Sequence, residues 1–260
     1  MKSMKHFMKR KTINNHRNDG FFKNMKNKKI SSLIFVALLA LLLYGIESYF
    51  SQPSNEPLLL SKEELLEELP TYQGKPYLEI NLNEPFFEKE DFSTESFEYY
   101  APLDVLGRCQ GAVANLSIDT MPTDKRESIG QIKPSGWQTA RYDDLIQDRY
   151  LYNRCHLIAF QLSGENANEK NLITGTRYMN VEGMLPFENE VADYIKETGN
   201  HVLYRVTPIF QGNELVARGV LMEAYSVEDH GWGIQFNVYV FNVQPGIDID
   251  YMTGVSQRSQ

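Results

Sequence analysis

The sequence predicts an α+β domain built on a central antiparallel sheet with a single hydrophobic core. Residues 201–210, 215–225 and 234–243 alternate between apolar and polar side chains, which is typical of half-buried strands. A helical pattern beginning at Pro186 precedes them, with Pro well placed in the first turn. Gln211-Gly212-Asn213 predicts a hairpin between the first two of these strands. One helix followed by a strand meander favours an α+β arrangement over alternating parallel units.

The earlier part of the chain predicts further strands separated by loops. Alternation predicts a half-buried strand over residues 77–82, and 111–118 is a second strand candidate. Residues 83–100 are polar and aromatic and predict an ordered loop. Residues 121–138 contain two Pro and two Gly and predict a long loop, either functional or simply solvated. Residues 149–162 predict a strand.

The elements after this strand place the predicted helix. A polar loop follows over residues 164–169, and residues 171–174 form a short apolar segment. The helix then presents apolar side chains at Phe187, Val191 and Ile195 on one face and ends near Gly199, a residue favoured at helix C-termini.

Charge is unevenly distributed along the 260 residues. Residues 1–29 hold ten of the 26 Lys and Arg residues with Asp19 as their only acid, although the whole chain has a net charge of −8. Beyond residue 29 the net charge is therefore −17. An acidic body argues against tight nucleic-acid binding without help from a cation, but it permits an enzyme that makes local phosphate contacts.

An apolar stretch over residues 30–46 follows the basic segment and predicts a transmembrane signal anchor. The basic flank places residues 1–29 in the cytoplasm as a tail and the remainder outside. A cleaved signal peptide, which would give a secreted protein, and a buried core helix are the alternatives. Residues 47–75 read as a linker with a short acidic helix, 76–252 as the globular domain and 253–260 as a C-terminal tail.

Two cysteines, Cys109 and Cys155, lie in the part of the chain predicted to be exported. Such a pair can form a disulfide in an oxidising compartment. The alternative is that both are small buried apolar side chains. The sequence leaves these two interpretations open.

A polar run, Asn153-Arg154-Cys155-His156, interrupts an otherwise apolar segment. Polar groups between segments that favour burial must be paired or used. Arg154 and His156 are two residues apart, so on a strand they share one face and place a cation beside a candidate base.

This run resembles the motif of the DNA/RNA non-specific endonucleases, usually written Asp-Arg-Gly-His, which belong to the His-Asn side of the ββα-metal superfamily. The order and spacing of Asn171, Asn180 and Glu188 extend the resemblance, which spans roughly residues 77–251 and is closest to Gram-positive DNA-entry nucleases and secreted DNases. It implies a ββα-metal active-site motif in the predicted sheet domain.

The resemblance implies a role for each matching residue. His156 matches the general base, Asn180 the single protein ligand of Mg²⁺, Glu188 the carboxylate that holds the metal's waters, and Arg154 an arginine near the phosphate. Asn171 matches a residue that shapes the site and is a candidate substrate contact. Asn153 and Cys155 depart from the motif, which has Asp and Gly at these positions.

Two further arginines, Arg126 and Arg177, are candidate substrate contacts outside the motif. Together these features predict a Mg²⁺-dependent, sequence-nonspecific endonuclease, with Mn²⁺ as an alternative ion, DNA as substrate and RNA as a second candidate. We expect it to act outside the cytoplasm, at the membrane or secreted. The resemblance implies a role in DNA uptake, nutrient scavenging or escape from extracellular DNA traps, and the anchor favours uptake, with DNA-uptake machinery as a partner. The alternative function is a catalytically weakened ectodomain that binds nucleic acid without cutting it.

Overall fold

The computed structural model describes residues 69–260, which form an α+β domain. The predicted signal anchor, the basic tail and the start of the linker lie outside these residues. Within 69–260, no helix combines the length and apolar character needed to cross a membrane. The elements are β1 (Tyr77–Glu79), β2 (Phe97–Tyr100), β3 (Ala112–Leu116), β4 (Tyr152–His156), α1 (Phe160–Ser163), β5 (Leu172–Thr176), a π-helical turn (Met179–Met184), α2 (Leu185–Thr198), β6 (Val202–Ile209), β7 (Gly219–Ser226), β8 (Gln235–Phe241), β9 (Ile247–Ile249) and β10 (Ser256–Arg258).

A six-stranded sheet in the order β1-β8-β7-β6-β3-β2 is the centre of the domain. Every neighbouring pair in it is antiparallel, as the sequence predicted. Two smaller two-stranded sheets join β4 with β5 and β9 with β10. The segment predicted as a C-terminal tail thus contributes β10.

The main core lies on one face of the large sheet, where α2 and the β4–β5 hairpin pack against it. Val202, Tyr204 and Val206 alternate along β6 and contribute to this core, together with Val191 and Ile195 from α2. This alternation is what the sequence pattern predicted for a strand with one buried face. Burial of this face fixes the position of the hairpin and the helix that follow the motif.

The opposite face of the sheet carries a buried ion pair instead of a purely apolar layer. Arg205 on β6 binds the carboxylate of Glu223 on β7 through two nitrogens, each 2.7 Å from a carboxylate oxygen. The backbone N–H of Phe86 donates to the same carboxylate, and the carbonyl of Phe86 accepts from Arg205. This network attaches the segment before β2 to the sheet.

Two predicted strands are shorter in the structure, and one predicted loop contains a strand. The first strand ends at Glu79 because Asn81, Leu82 and Asn83 all have positive φ angles, which break the extended conformation. The strand predicted over residues 149–162 is wrong beyond His156, since the chain turns into α1 at Phe160. The loop predicted over 83–100 contains β2, which pairs with β3.

Candidate active site

The β4–β5 hairpin and α2 together bring the motif residues to one cleft. In the hairpin, Arg154 pairs with Thr174 and His156 with Leu172. The chain then passes through the π-helical turn, which contains Asn180, into α2, which contains Glu188. The turn can lie close to the large sheet because Gly183 has no side chain. A Cβ at this position would collide with Val240 on β8. Single π-helical turns of this kind occur frequently at functional sites.

The cleft has a volume of about 750 Å³. Its lining combines cationic, anionic and amide side chains from the hairpin, the turn, α2 and the loop of residues 121–138, which we call the 121–138 loop. The residues relevant to the predicted chemistry are Arg126, Lys133, Asn153, Arg154, His156, Asn180 and Glu188.

His156 is 7% exposed and its imidazole is oriented by a backbone carbonyl. Nε2 lies 2.8 Å from the carbonyl oxygen of Asn166, in the loop between α1 and β5. A carbonyl only accepts, so Nε2 carries the proton, and Nδ1 of the neutral ring keeps its lone pair. Burial lowers the pKa of His156, the bond to Asn166 raises it and the charge of Arg126 lowers it. The net lowering keeps the ring neutral and able to accept a proton.

Asn180 forms a side-chain hydrogen bond with one of the residues that depart from the motif. Nδ2 of Asn180 donates to Oδ1 of Asn153, 3.3 Å away. The amide nitrogen is thus used, and no side chain or N–H group of residues 69–260 donates to the amide oxygen Oδ1 of Asn180. An amide oxygen in this position suits an oxygen-preferring cation.

Glu188 presents a largely buried carboxylate to the cleft, with 7% of the residue exposed. Burial raises its pKa to about 8, and the nearby charge of Arg126 offsets only part of this increase. A carboxylate kept in so unfavourable an environment is characteristic of functional sites, where a cation or bound water compensates for the lost solvation.

Arg154 lines the cleft, but its guanidinium group also makes two hydrogen bonds and one stacking contact. Nε donates to the carbonyl of Ile132 and Nη2 donates to the carbonyl of Gly130 at 2.8 Å. The guanidinium carbon lies 4.0 Å from the ring centre of Trp137. All three partners belong to the 121–138 loop.

The three candidate substrate contacts have different environments. Arg126 is exposed, lines the cleft and has no ion-pair partner within the described residues. Arg177 instead forms an ion pair with Asp148 and is not among the cleft residues. Asn171 is fully buried, and its side chain binds both the N–H and the carbonyl of Ile158 at 2.9 and 3.0 Å. That bidentate contact joins the chain after β4 to the start of β5.

Cys155 fits into the hairpin because Gly175 leaves room for it. A Cβ at Gly175 would collide with Sγ of Cys155, so the missing side chain on β5 accommodates the additional one on β4. Both cysteines are buried free thiols, so the structure agrees with the interpretation that they are small buried apolar side chains and not with a disulfide. Sγ of Cys109 lies 3.2 and 3.3 Å from the carbonyl oxygens of Leu172 and Glu169, which share its single S–H donor.

Two contributors to the site were missed from sequence. Asn166 acts through its backbone carbonyl, which carries no side-chain signal. The motif comparison marks Asn153 only as a departure, although its amide can accept the same hydrogen bond as a carboxylate. The sequence signal for Asn153 is that Asn180 has a complementary amide side chain, with which Asn153 can form a hydrogen bond.

The model of the DNA/RNA non-specific endonuclease family matches residues 89–228, more than half of the chain, including the hairpin, the π-helical turn and α2. The chain belongs to the DNA/RNA non-specific endonuclease family. It is therefore a member of an enzyme family, as the resemblance implied. A deoxyribonuclease from Streptococcus dysgalactiae subsp. equisimilis is 38% identical over 110 residues, which are 40% of this chain and 32% of that protein. The match thus spans about a third of the relative's length.

Solved nuclease structures share the fold of this chain. NucA from Streptococcus agalactiae with magnesium bound superimposes with a TM-score of 0.65 at 23% identity, covering 76% of this chain and 98% of NucA. The Sda1 nuclease with bound zinc has a TM-score of 0.60 at 28% identity, covering 71% of this chain and 97% of Sda1. The α+β fold with a large antiparallel sheet is confirmed by this likeness.

Proposed function

We propose that this chain is a divalent-metal-dependent endonuclease that hydrolyses phosphodiester bonds of DNA without sequence preference, through His156 and Asn180. The observation that carries the proposal is the state of His156. Its Nε2–H donates a hydrogen bond to the Asn166 carbonyl, its Nδ1 has no hydrogen-bond partner among residues 69–260, and it shares one cleft with Arg126, Asn180 and Glu188. The family match and the deoxyribonuclease relative support the same activity.

The side chains of the cleft suit a hard cation that keeps most of its waters. Among residues 69–260, no group of three or more His, Cys, Asp or Glu side chains could enclose a metal. The cleft offers instead the amide oxygen of Asn180, oriented by Asn153, and the carboxylate of Glu188. Mg²⁺ prefers oxygen ligands and retains water, so we propose Mg²⁺, with Mn²⁺ as an alternative. Asn180 would bind the ion and Glu188 would accept hydrogen bonds from its waters.

The remaining residues have separate tasks in the proposed reaction. When bound, the divalent ion would neutralise negative charge that develops on the phosphate during hydrolysis. Nδ1 of His156 accepts a proton from the attacking water, and the Asn166 carbonyl holds the ring in the orientation required. Arg126 supplies a positive charge to the phosphate from the 121–138 loop. Contacts to phosphate carry no base information, so cleavage is expected to be sequence-nonspecific.

Action outside the cytoplasm is part of the proposal and rests on the basic N-terminal flank followed by the apolar residues 30–46. A retained anchor would hold the enzyme at the cell membrane, where DNA uptake is one use for it. Cleavage of the segment would release it. The N-terminal sequence of the native protein distinguishes these two forms.

The activity is tested with the full-length chain, purified in mild detergent and incubated with plasmid DNA and with RNA. Each substrate is tested with Mg²⁺, with Mn²⁺ and with EDTA, beside His156→Ala and the control His230→Ala, which changes an exposed turn residue. We expect cleavage of DNA by the wild type and the control only when a divalent ion is present. DNA that is retarded in a gel but left intact at every metal concentration would support the weakened binding domain instead.

A further inference from the structure

The 121–138 loop is secured to the rest of the domain at its two ends and free in its middle. Before it, the hydroxyl of Thr120 donates to the carbonyl of Leu162 at 2.8 Å. Residues 123–128 are exposed and make no hydrogen bond to any described residue outside the loop. This unsupported span includes Arg126, whose charge lowers the pKa values of both His156 and Glu188. The position of Arg126 over the cleft therefore depends on how the loop is held further along.

Arg154 is the side chain that holds the far half of the loop. It donates hydrogen bonds to the carbonyls of Gly130 and Ile132 and stacks on the indole of Trp137 at 4.0 Å. Trp137 also packs against a small core that includes Leu151 and Tyr152. The guanidinium thus connects three points of the loop to strand β4.

The strand opposite Arg154 adds a second attachment to the same half of the loop. Thr174, the cross-strand partner of Arg154, donates its hydroxyl proton to the carbonyl of Ser135 at 2.8 Å. The hydroxyl of Ser135 in turn donates to the carbonyl of Leu215 at 2.7 Å. The half of the loop after residue 129 is accordingly fixed on the hairpin that contains His156.

We infer that Arg154 is a positioning residue, which places Arg126 over the cleft by anchoring the loop, and that Arg126 is the arginine that contacts the scissile phosphate. This inference rests on the proposed function and changes the role that the motif implied for Arg154. A guanidinium group binds a phosphate best through two parallel N–H groups. In Arg154 two of the five N–H groups, on Nε and Nη2, are already donated to loop carbonyls, so the Nε–Nη2 edge is not open to a phosphate. Arg126 has no hydrogen-bond or ion-pair partner among residues 69–260, so both edges of its guanidinium group are open to a phosphate.

The loop's anchoring is tested first without reference to activity. Lys125 and Arg126 are trypsin sites in the unsupported span, whereas the bond after Lys133 is protected by Pro134. In the full-length chain we expect Arg154→Gln to increase the rate of cleavage after these two residues by about tenfold, because local opening limits proteolysis of an ordered loop. In a Trp232→Phe background, which leaves Trp137 as the one indole of the chain, we expect Arg154→Gln to shift the fluorescence emission of Trp137.

A matched control exists in Arg108. This arginine also stacks on an aromatic ring, that of Phe210, and also donates to two backbone carbonyls, those of Gly212 and Glu214. Its loop is elsewhere in the fold, and it is not among the cleft residues. Arg108→Gln should therefore leave the trypsin sites at 125 and 126 unchanged. Arg154→Lys, which keeps the charge but loses the fork, provides a second variant with a smaller risk of misfolding.

Activity then shows whether Arg154 acts through Arg126. We expect Arg154→Gln and Arg126→Gln each to lower kcat on plasmid DNA by roughly thirtyfold, and the double variant to be no more than about twofold below Arg126→Gln. Effects that multiply in the double variant, or trypsin rates unchanged by both Arg154 variants, would overturn the inference. If the wild type cleaves no DNA, the proposed function fails, while the trypsin and emission results still decide whether Arg154 anchors the loop.

Discussion

Oδ1 of Asn153 accepts a hydrogen bond from Nδ2 of Asn180, so the residue that departs from the family motif orients the proposed metal ligand. An aspartate at position 153 could accept the same bond, because each of its oxygens is an acceptor. Asparagine at this position therefore preserves the orientation of Asn180 while it removes one negative charge from the cleft. The departure changes the electrostatics of the site more than its geometry.

Replacing Asn153 separates orientation from charge. We expect Asn153→Asp to keep DNA cleavage and to lower the Mg²⁺ concentration for half-maximal activity about threefold, since a nearby carboxylate attracts the cation. Asn153→Leu, which cannot accept the bond, should raise that concentration about tenfold. The measurement is initial rate against Mg²⁺ concentration at saturating DNA.

Asn189→Asp is the control for charge alone, because Asn189 lies on α2 and binds Gln161 rather than Asn180. Its half-maximal Mg²⁺ concentration should stay within about twofold of the wild type, since exposed charges are well screened. A normal Mg²⁺ response in Asn153→Leu would show that Asn180 needs no orienting partner.

The pKa of His156 predicts how kcat/KM for DNA cleavage depends on pH. Removing the base in His156→Ala should lower kcat/KM about a thousandfold. Burial lowers the pKa of His156 below its usual 6.5, so the neutral form persists as the pH falls through that value. The acid limb of kcat/KM in the wild type should consequently lie below pH 6.5.

Arg126 provides an internal check on this profile, because its charge contributes to the lowering of the His156 pKa. In Arg126→Gln the acid limb should move to higher pH, whereas Arg258→Gln, which changes a residue of β10 outside the cleft lining, should leave the limb where it is. An acid limb at or above the usual histidine pKa in the wild type would argue against His156 as the base.

The sheet and the helix could be predicted from sequence because their signals are local. Alternation along residues 201–243 and the apolar face of α2 follow directly from which side chains meet the core. Strand β2 was missed because its burial depends on pairing with β3, a contact between distant parts of the chain. The turn into α1 was missed because Phe160 and Leu162 fit an extended apolar run as well as a helical one.

The site was predictable where motif order carried the information, and not where backbone contacts did. His156, Asn180 and Glu188 were singled out by spacing, and the fold places them in one cleft. His156 is oriented by the backbone carbonyl of Asn166 and Asn180 by the side-chain amide of Asn153. Arg154 likewise donates to backbone carbonyls of the 121–138 loop. Any residue can supply a carbonyl, so sequence cannot predict which one does.

Glu188 is expected to reduce the stability of the metal-free protein. Its pKa in the folded state is about 8, above the ordinary value of 4.5, so between these values the folded state binds more protons than the unfolded state. Stability therefore falls as the pH rises through this window. In EDTA, Glu188→Gln should raise Tm by about 5 °C at pH 8 and by little at pH 4.5, while DNA cleavage is lost.

The exposed acid Glu190, two residues along α2, is the matched control for this comparison, and Glu190→Gln should change Tm by a similar small amount at both pH values. A Tm difference between Glu188→Gln and the wild type that does not grow with pH would show that Glu188 ionises without penalty.

Cys155 and Gly175 are expected to depend on each other for packing. A Cβ at Gly175 would collide with Sγ of Cys155 and with Cε of Met179, and all three positions are buried, so the extra methyl group cannot be accommodated without a shift. Gly175→Ala alone should lower the free energy of unfolding by about 2 kcal/mol, within the range for overpacked cores. In a Cys155→Gly background the same substitution should cost about 1 kcal/mol less, because the contact with the sulfur is gone while the contact with Cε of Met179 remains.

The measurement is a double-mutant cycle by urea denaturation, with Gly199→Ala as the control, since Gly199 has free space around its Cα but a positive φ of 74°. Strain at that position is backbone strain, so its cost should be the same in the wild-type and Cys155→Gly backgrounds. Equal costs of Gly175→Ala in the two backgrounds would mean that the glycine on β5 does not compensate for the cysteine on β4. A coupling confined to Gly175 would show that the glycine on β5 compensates for the cysteine that replaces the motif glycine on β4, next to the proposed base His156.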